Sequence, residues 1–418
     1  MRKTFLPFSP PLIGEEEIAE VVDTLRSAWI TTGPKVKQFE VEFAAAVSAP
    51  SALALSSCTA ALHVALAALG IGPGDLVITT PMTFCSTVHV IEQVGAQPVL
   101  VDVEPVTLNL NMSEVRKTLQ RLNGAPGRGG PVKAIIPVHL YGHPCDVEQV
   151  LDIASEYKLA VIEDAAHALP AKHKGRVIGS HANGSEVPVL TCFSFYATKN
   201  LTTGEGGMLT GRPELVDEAR IWSLHGMNRD AWKRYSSGGS WYYEVVRPGF
   251  KYNMTDLQAA IGLHQLRKLP SFHRRRQEIV QQYNEAFSLL AGVETPVQND
   301  GVEHAWHLYV LRLHSPELAI SRADFIEELK RRNIGSSVHF IPVHLHPYYR
   351  DKYRFRPDDF PVACREWERL VSLPLSPKMT EGDVDDVIAA VKDIAALKRV
   401  QLEQPRDAIS KYAAPAST

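Results

Sequence analysis

Between residues 52 and 195, short apolar runs alternate with segments that repeat apolar residues every three or four positions. That rhythm restricts the fold more than any other feature of the chain. Ala52–Leu55, LVITT, PVLVDV, KAIIPVHL, AVIEDA and VLTCFSF read as strands. CTAALHVALAAL, TFCSTVHVIEQVG and CDVEQVLDIASEYK, lying among them, read as helices. Strands that are apolar throughout are buried on both faces, as in a parallel sheet covered by helices on either side. The expectation is an α/β unit with a mostly parallel sheet. Two helices precede it: EEEIAEVVDTLRSA, with Ile18, Val21, Val22 and Leu25 at helical spacing, and VKQFEVEFAAAV after the turn WITTGP.

The rhythm changes after about residue 210. A loop-rich stretch leads to TDLQAAIGLHQLRKL, which places Leu257, Ile261 and His264 on one helical face, and a long helix continues through HRRRQEIVQQYNEAF. At 418 residues the chain is too long for one ordinary core, so a second, smaller α+β domain is expected. The boundaries expected are an arm and helix at 1–34, a large domain at 35–255, a connecting helix at 256–285, a small domain at 286–398 and a mobile tail at 399–418. The glycine-rich NGAPGRGGP at 123–131 reads as a turn, and HRRR at 273–276 as a solvated helix face. GIGPGD at 70–75 follows a helix and precedes a strand, the reverse of a dinucleotide loop, and reads as a helix cap and turn.

Composition narrows the function. A net charge of -3 provides no field for nucleic acid or anionic lipid. No apolar run approaches the roughly 20 residues of a membrane span, and MRKTFLPFSPPLIGEEE lacks the apolar stretch of a signal peptide. The five cysteines form no C-x-x-C pair, which disfavours a disulfide framework or structural zinc. A cytoplasmic enzyme is expected, with no nucleic-acid or membrane partner.

Three places carry candidate chemistry. Asp164 ends the apolar run AVIEDA, where a parallel strand delivers residues to the ligand-bearing edge. It is either a strand-end cap or a carboxylate held dry to meet a cation, with His167 three residues on. The strand ending ALAL feeds through Ser57, Cys58 and Thr59 into a helix of small residues. That start suits a phosphate as well as plain capping by Ser57. Lys199 stands alone in FSFYATKNLTTGEGGM, among hydroxyls and before a glycine turn. A surface lysine needs no such setting, whereas one that must lose its proton and form an imine does. Pyridoxal 5'-phosphate unites the three, with an aldehyde for lysine, a ring nitrogen for carboxylate and a phosphate for the helix start.

The ordered motifs FLPFSPPLIGEEE, WITTGPKVKQFE, SSCTAALHVAL, PVHLYGHPCD, VIEDAAHA, FSFYATKN, GEGG, KYNMTDLQAAIG, VHFIPVHLHPYY and SLPLSP span nearly the whole chain. Together they resemble the DegT/DnrJ/EryC1/StrS family of pyridoxal-phosphate-dependent nucleotide-sugar aminotransferases, of aspartate-aminotransferase fold type I. LPFS, WITTGP and AWHL bring the UDP-4-amino-4-deoxy-L-arabinose branch nearest. The resemblance implies that Lys199 forms the imine and moves the proton, Asp164 keeps the pyridine nitrogen protonated, and His167 approaches the phenolic oxygen. It places Cys58, Thr59 and Ser194 at the phosphate, with Phe84 stacked on the ring and Asn253 reaching the phosphate of the other subunit in a homodimer. Thr32, His339 and His344 fall on the sugar side. Cys58 departs from a more usual alanine or glycine, and 123–131 looks like an insertion.

The implied reaction moves an amino group from an amino acid, L-glutamate by expectation, to a nucleotide-linked keto-sugar, a UDP-4-keto sugar in surface polysaccharide or lipopolysaccharide synthesis. His339, His344 and His346 cluster but fit no standard zinc motif, so no metal is expected. Related sugar dehydratases carry histidine in place of the lysine, and Lys199 argues against that chemistry. A non-catalytic, regulatory relative would be signalled by loss of Asp164 or Lys199, and both are present.

Overall fold

The structure, a computed structural model, describes residues 2–123, 130–180, 186–228 and 242–396. Most of the turn expected at 123–131, and the whole tail expected from 399, lie outside the described residues. The elements begin with helices α1 (Glu15–Arg26) and α2 (Pro34–Ala46), then β1 (Ser51–Leu55), α3 (Cys58–Ala68), β2 (Leu76–Thr79), α4 (Ser86–Gln93), β3 (Gln97–Leu100) and α5 (Met112–Asn123). There follow β4 (Val132–Ile135), α6 (Val147–Tyr157), β5 (Ala160–Asp164), the short pair β6 (Lys172–His173) and β7 (Arg176–Val177), β8 (Val189–Ser194), β9 (Gly207–Gly211) and α7 (Pro213–Ser223). The long α8 (Asp256–Phe287) leads to β10 (Val293–Glu294), β11 (Val302–Glu303), β12 (Tyr309–Leu313), α9 (Ser315–Leu318) and α10 (Arg322–Arg331). α11 (Pro347–Tyr353), α12 (Pro361–Trp367), β13 (Leu370–Leu373) and α13 (Glu381–Ala395) close the described chain.

Seven strands form the central sheet in the order β1-β9-β8-β5-β4-β2-β3. β9 alone runs against its neighbours; the pairs β8/β5, β5/β4, β4/β2 and β2/β3 are parallel. Every residue of β2, β5 and β9 is buried, as expected of strands covered on both faces. The topology brings the ends of β1, β5 and β8 to one edge, and β9 starts there because Gly207 pairs with both Leu55 and Ser194. Gly70, just past the end of α3, takes the left-handed φ of +68° that the GIGPGD turn requires.

A second core joins the far half of α8 (Ile279, Val280, Tyr283, Phe287) to β12, α10, β13 and α13. Leu6 belongs to it: the N-terminal arm pairs there through Leu6 N–H to Asn333 O at 2.8 Å and Gly335 N–H to Leu6 O at 2.9 Å. The arm therefore ties the two ends of the chain together.

One expectation about faces changes, and two helices turn faces that spacing alone did not assign. α1 forms, but its apolar stripe points outward, with Ile18 49% and Leu25 55% exposed. Its polar side packs on α8 instead, because Glu17 gathers the Gly14 N–H at 2.8 Å, Gln265 Nε2 at 2.9 Å and Lys268 Nζ at 2.8 Å. On α8 the buried side is Ala259, Ala260, Leu263 and Leu266, leaving Leu257, Ile261 and His264 half-buried. The HRRR run is a solvated face only in part, with Arg274 exposed but Arg276 turned inward. Arg276 is 2% exposed, and its guanidinium donates to the carbonyls of Trp306, His307 and Leu375.

Candidate active site

A cavity of about 470 Å³ opens at the carboxyl edge of the sheet, walled by residues of both halves of the chain. Asp164, at the end of β5, is buried on its floor. One carboxylate oxygen accepts from Thr87 Oγ1 at 2.7 Å and the other from the Ala166 N–H at 3.1 Å. Burial raises its pKa, and those donors, together with the charge of Lys199, only partly oppose the rise. A cation set against the carboxylate would reverse it, and a protonated ring nitrogen is such a cation.

Lys199 follows β8 through a turn in which its N–H donates to Tyr196 O at 2.9 Å. Its ammonium lines the cavity, and loss of water lowers its pKa to about 8, against the pull of Cys58 and Asp164. A lysine in that range is a usable nucleophile and proton carrier near neutral pH.

Ser57, Cys58 and Thr59 line the cavity at the start of α3, where Ser57 Oγ accepts from the Ala60 N–H at 3.0 Å. Ser194 and Gly206 stand beside them. β9 passes so near that a Cβ on Gly207 would lie 2.4 Å from the Ser57 carbonyl carbon. The close pass leaves a hydroxyl-lined hollow at a helix start, which matches a phosphate. Carboxylate floor, softened lysine and helix start thus fit pyridoxal 5'-phosphate.

His167 is 7% exposed and lines the cavity. Its Nδ1 accepts the Tyr141 N–H at 3.2 Å, so the ring proton of the neutral imidazole sits on Nε2. Burial and the charge of Lys199 keep it neutral. His339 also lines the cavity, with Nδ1 at 2.8 Å from Ser372 Oγ and its pKa lowered by burial to about 4. Phe84, 58% exposed, stands at the mouth with its ring 6.0 Å from that of Phe340.

Thr32 and His344, expected on the sugar side, do not line this cavity, nor does Asn253, expected at the phosphate of the other subunit. Asn253 donates from Nδ2 to Thr32 Oγ1 at 2.6 Å, and Thr32 Oγ1 in turn donates to Met254 O at 2.5 Å, at the foot of α8. His344 is corrected outright as a cavity residue. It is fully buried against Phe360, with Nε2 at 3.2 Å from Cys364 Sγ, because its neighbours Val343 and Leu345 turn the short helix they share into the core. Sequence reasoning missed His307, Phe340, Phe8 and Tyr196, which line the cavity, and Asn200, which lies behind it. AWHL and YATKN contained three of them, His307, Tyr196 and Asn200, but their spacing carried no sign of their contacts.

The DegT/DnrJ/EryC1/StrS aminotransferase family model matches residues 11–392. An uncharacterised protein of Methanocaldococcus jannaschii is 52% identical over 400 residues, covering 96% of this chain and all of that protein. The spore coat polysaccharide biosynthesis protein SpsC of Bacillus subtilis is 51% identical over 395 residues, covering 94% and 98%. Among solved structures, the PLP-form of the putative sugar aminotransferase Spr1654 from Streptococcus pneumoniae aligns with a TM-score of 0.83 at 36% identity, covering 94% of this chain and 98% of that one. A PMP-form of the same protein aligns equally well. Fold type I, the pyridoxal-phosphate cofactor and transamination follow from these matches and the cavity together, and the chain belongs to the DegT/DnrJ/EryC1/StrS aminotransferase family.

Proposed function

We propose that the protein transfers the amino group of L-glutamate to the keto carbon of a nucleotide-linked sugar, a UDP-4-keto sugar, in the cytoplasmic synthesis of a surface polysaccharide. The observation that carries the reading is Lys199, lowered to about 8 in a cavity whose floor is the buried Asp164. Pyridoxal phosphate, when bound, supplies the carbonyl that receives the amine and the ring that accepts electrons. Asp164 would present an anion to the ring nitrogen, and the hydroxyls at the start of α3 would hold the phosphate. Lys199 carries a proton on and off the reacting carbon. His167, its proton held on Nε2, would donate to the phenolic oxygen. Phe84, Phe340, Phe8 and Tyr196 offer flat faces at the mouth for a sugar or base and shield the lysine from water.

Likeness to a spore coat polysaccharide protein and to sugar aminotransferases supports the sugar acceptor. Within this reading Asn253 and Thr32 serve the site of a second subunit, which accounts for their distance from their own cavity. Among the described residues, no helix is long and apolar enough to cross a membrane.

The test is the visible absorbance of the cofactor-bound protein, before and after L-glutamate, beside Lys199→Ala. A band that glutamate bleaches in the wild type only, and that a UDP-4-keto sugar restores, is the expected result. A band indifferent to every amino donor would end the reading.

A further inference from the structure

Behind the cavity, one side chain joins three segments that carry active-site residues. Asn200, next in sequence to Lys199, is 7% exposed, and its Nδ2 donates to Leu169 O and to Ala305 O, each at 2.8 Å. Those two acceptors fix the orientation of the amide, leaving Oδ1 as an acceptor. Nδ1 of His307 stands 3.2 Å from that oxygen and must therefore donate to it. His307 is consequently the Nδ1–H tautomer, the opposite of His167.

The two imidazoles are in contact as a tilted pair, with ring centroids 4.4 Å apart and planes at 37°. Phe340 also stacks on His167, at 5.8 Å and 16°, so two neighbouring rings restrain the His167 plane. The circuit closes through the backbone: Leu308 N–H donates to Tyr141 O at 3.2 Å, and Tyr141 N–H donates to His167 Nδ1. Arg276 anchors the segment from beneath, donating to Trp306 O at 3.2 Å and His307 O at 3.3 Å, where Trp306 holds a left-handed φ of +48°. The charged and titratable groups facing His307 are Lys199, His167, Arg276 and His339, all of which oppose a positive charge on it.

We propose that Asn200 and His307 are positioning residues that fix the ring plane of His167, whose tautomer the Tyr141 N–H sets, and through that plane the hydrogen bond His167 would give to the cofactor's phenolic oxygen. This rests on the function proposed above. Neither residue needs to react. His307 acts as a neutral wall whose donor is already committed, so that His167 alone presents an N–H.

A donor at the phenolic oxygen stabilises its anion most in the deprotonated chromophore, and so holds the pH midpoint of the visible band down. Losing a hydrogen bond to a charged oxygen should raise that midpoint by about one pH unit. The experiment is a pH titration of the visible band in cofactor-bound wild type, His167→Phe, His307→Phe, His307→Gln and Asn200→Ala, with far-UV circular dichroism as a check on folding. His307→Phe and Asn200→Ala should move the midpoint upward, as His167→Phe does, and the double variant His167→Phe/His307→Phe should move it no further. His307→Gln, whose amide can donate to Asn200 Oδ1, should recover part of the shift, which a role in packing alone would not produce.

A His307→Phe protein that titrates as wild type overturns the proposal. Nitrogen NMR of histidine-labelled, cofactor-free wild type tests it without any variant: His167 should carry its proton on Nε2 and His307 on Nδ1, and the reverse at His307 also overturns it. A wild type with no visible band would instead fail at the proposed function, and this inference would fall with it.

Discussion

At the scale of single residues, the site trades stability for reactivity at Lys199. Its folded pKa of about 8 lies below the ordinary 10.5, so the cofactor-free fold pays for keeping the ammonium charged at every pH below 8. The unfolded chain binds more protons between those values, and the penalty fades as pH rises from 8 towards 10.5. Cofactor-free Lys199→Met should therefore be more stable than wild type at neutral pH, by about 1–3 kcal/mol. Calorimetry across that range should show the gain shrinking as pH rises; a gain independent of pH would mean burial of the ammonium is not its source. Asp164→Asn removes the anion facing the ring nitrogen. Breaking such a buried pair should slow the glutamate half-reaction by about 10²–10³-fold; a loss below tenfold in stopped-flow absorbance would mean the Asp164 anion is not what the ring nitrogen depends on. Asp164 was legible in the sequence because it is a charge ending an apolar run, and Lys199 because it stands alone among hydroxyls before a glycine turn, settings that are rare unless used. Asn200 and His307 were not. Their meaning lies in contacts among the segments around 169, 200 and 305, which spacing along the chain does not encode.

At the scale of elements, the alternation of strands and helices was legible because each strand is apolar on both sides, a pattern that only a covered sheet explains. What periodicity could not supply was direction. β9 (GMLTG) stayed hidden because its first residue belongs to the glycine turn, and it runs antiparallel, while α1 shows a helical apolar stripe that faces away from its own core. Both features matter to the site. Because β9 enters at the cavity edge, Gly207 crosses the start of α3 at a distance no side chain tolerates, with a Cβ falling 2.4–2.6 Å from Ser57 and Cys58 backbone atoms. Gly207→Ala should push the first turn of α3 away from Ser194. The expected cost is about 1–3 kcal/mol of stability, accompanied by a tenfold or greater loss of cofactor affinity in equilibrium dialysis. If the melting temperature falls while affinity holds, the start of α3 is not what grips the phosphate.

At the scale of the whole molecule, the outward stripe of α1 and the position of Asn253 call for one explanation. Ile18, Val22 and Leu25 follow each other at helical spacing and are 49%, 36% and 55% exposed, with Ile30 50% and Val41 58% exposed nearby in sequence. A stripe of that kind on a lone soluble chain invites cover. Asn253 and Thr32 bond to each other beside α1 and α8, outside the cavity of their own chain. A second copy seated on α1 would cover the stripe and carry Asn253 towards the neighbouring phosphate hollow, making the site a property of the pair. Ile18→Glu with Leu25→Glu places two carboxylates in that interface while leaving the buried side of α1 untouched. Analytical ultracentrifugation should show the wild type as a dimer and the variant as a monomer, and the monomer should bind pyridoxal phosphate at least tenfold more weakly, since a hydrogen bond to a charged group contributes about 1.5–3 kcal/mol. Affinity and dimer fraction should rise together with protein concentration. A monomer that keeps full affinity would place the whole phosphate site within one chain and leave Asn253 without a role there; a variant that stays dimeric would move the interface away from α1.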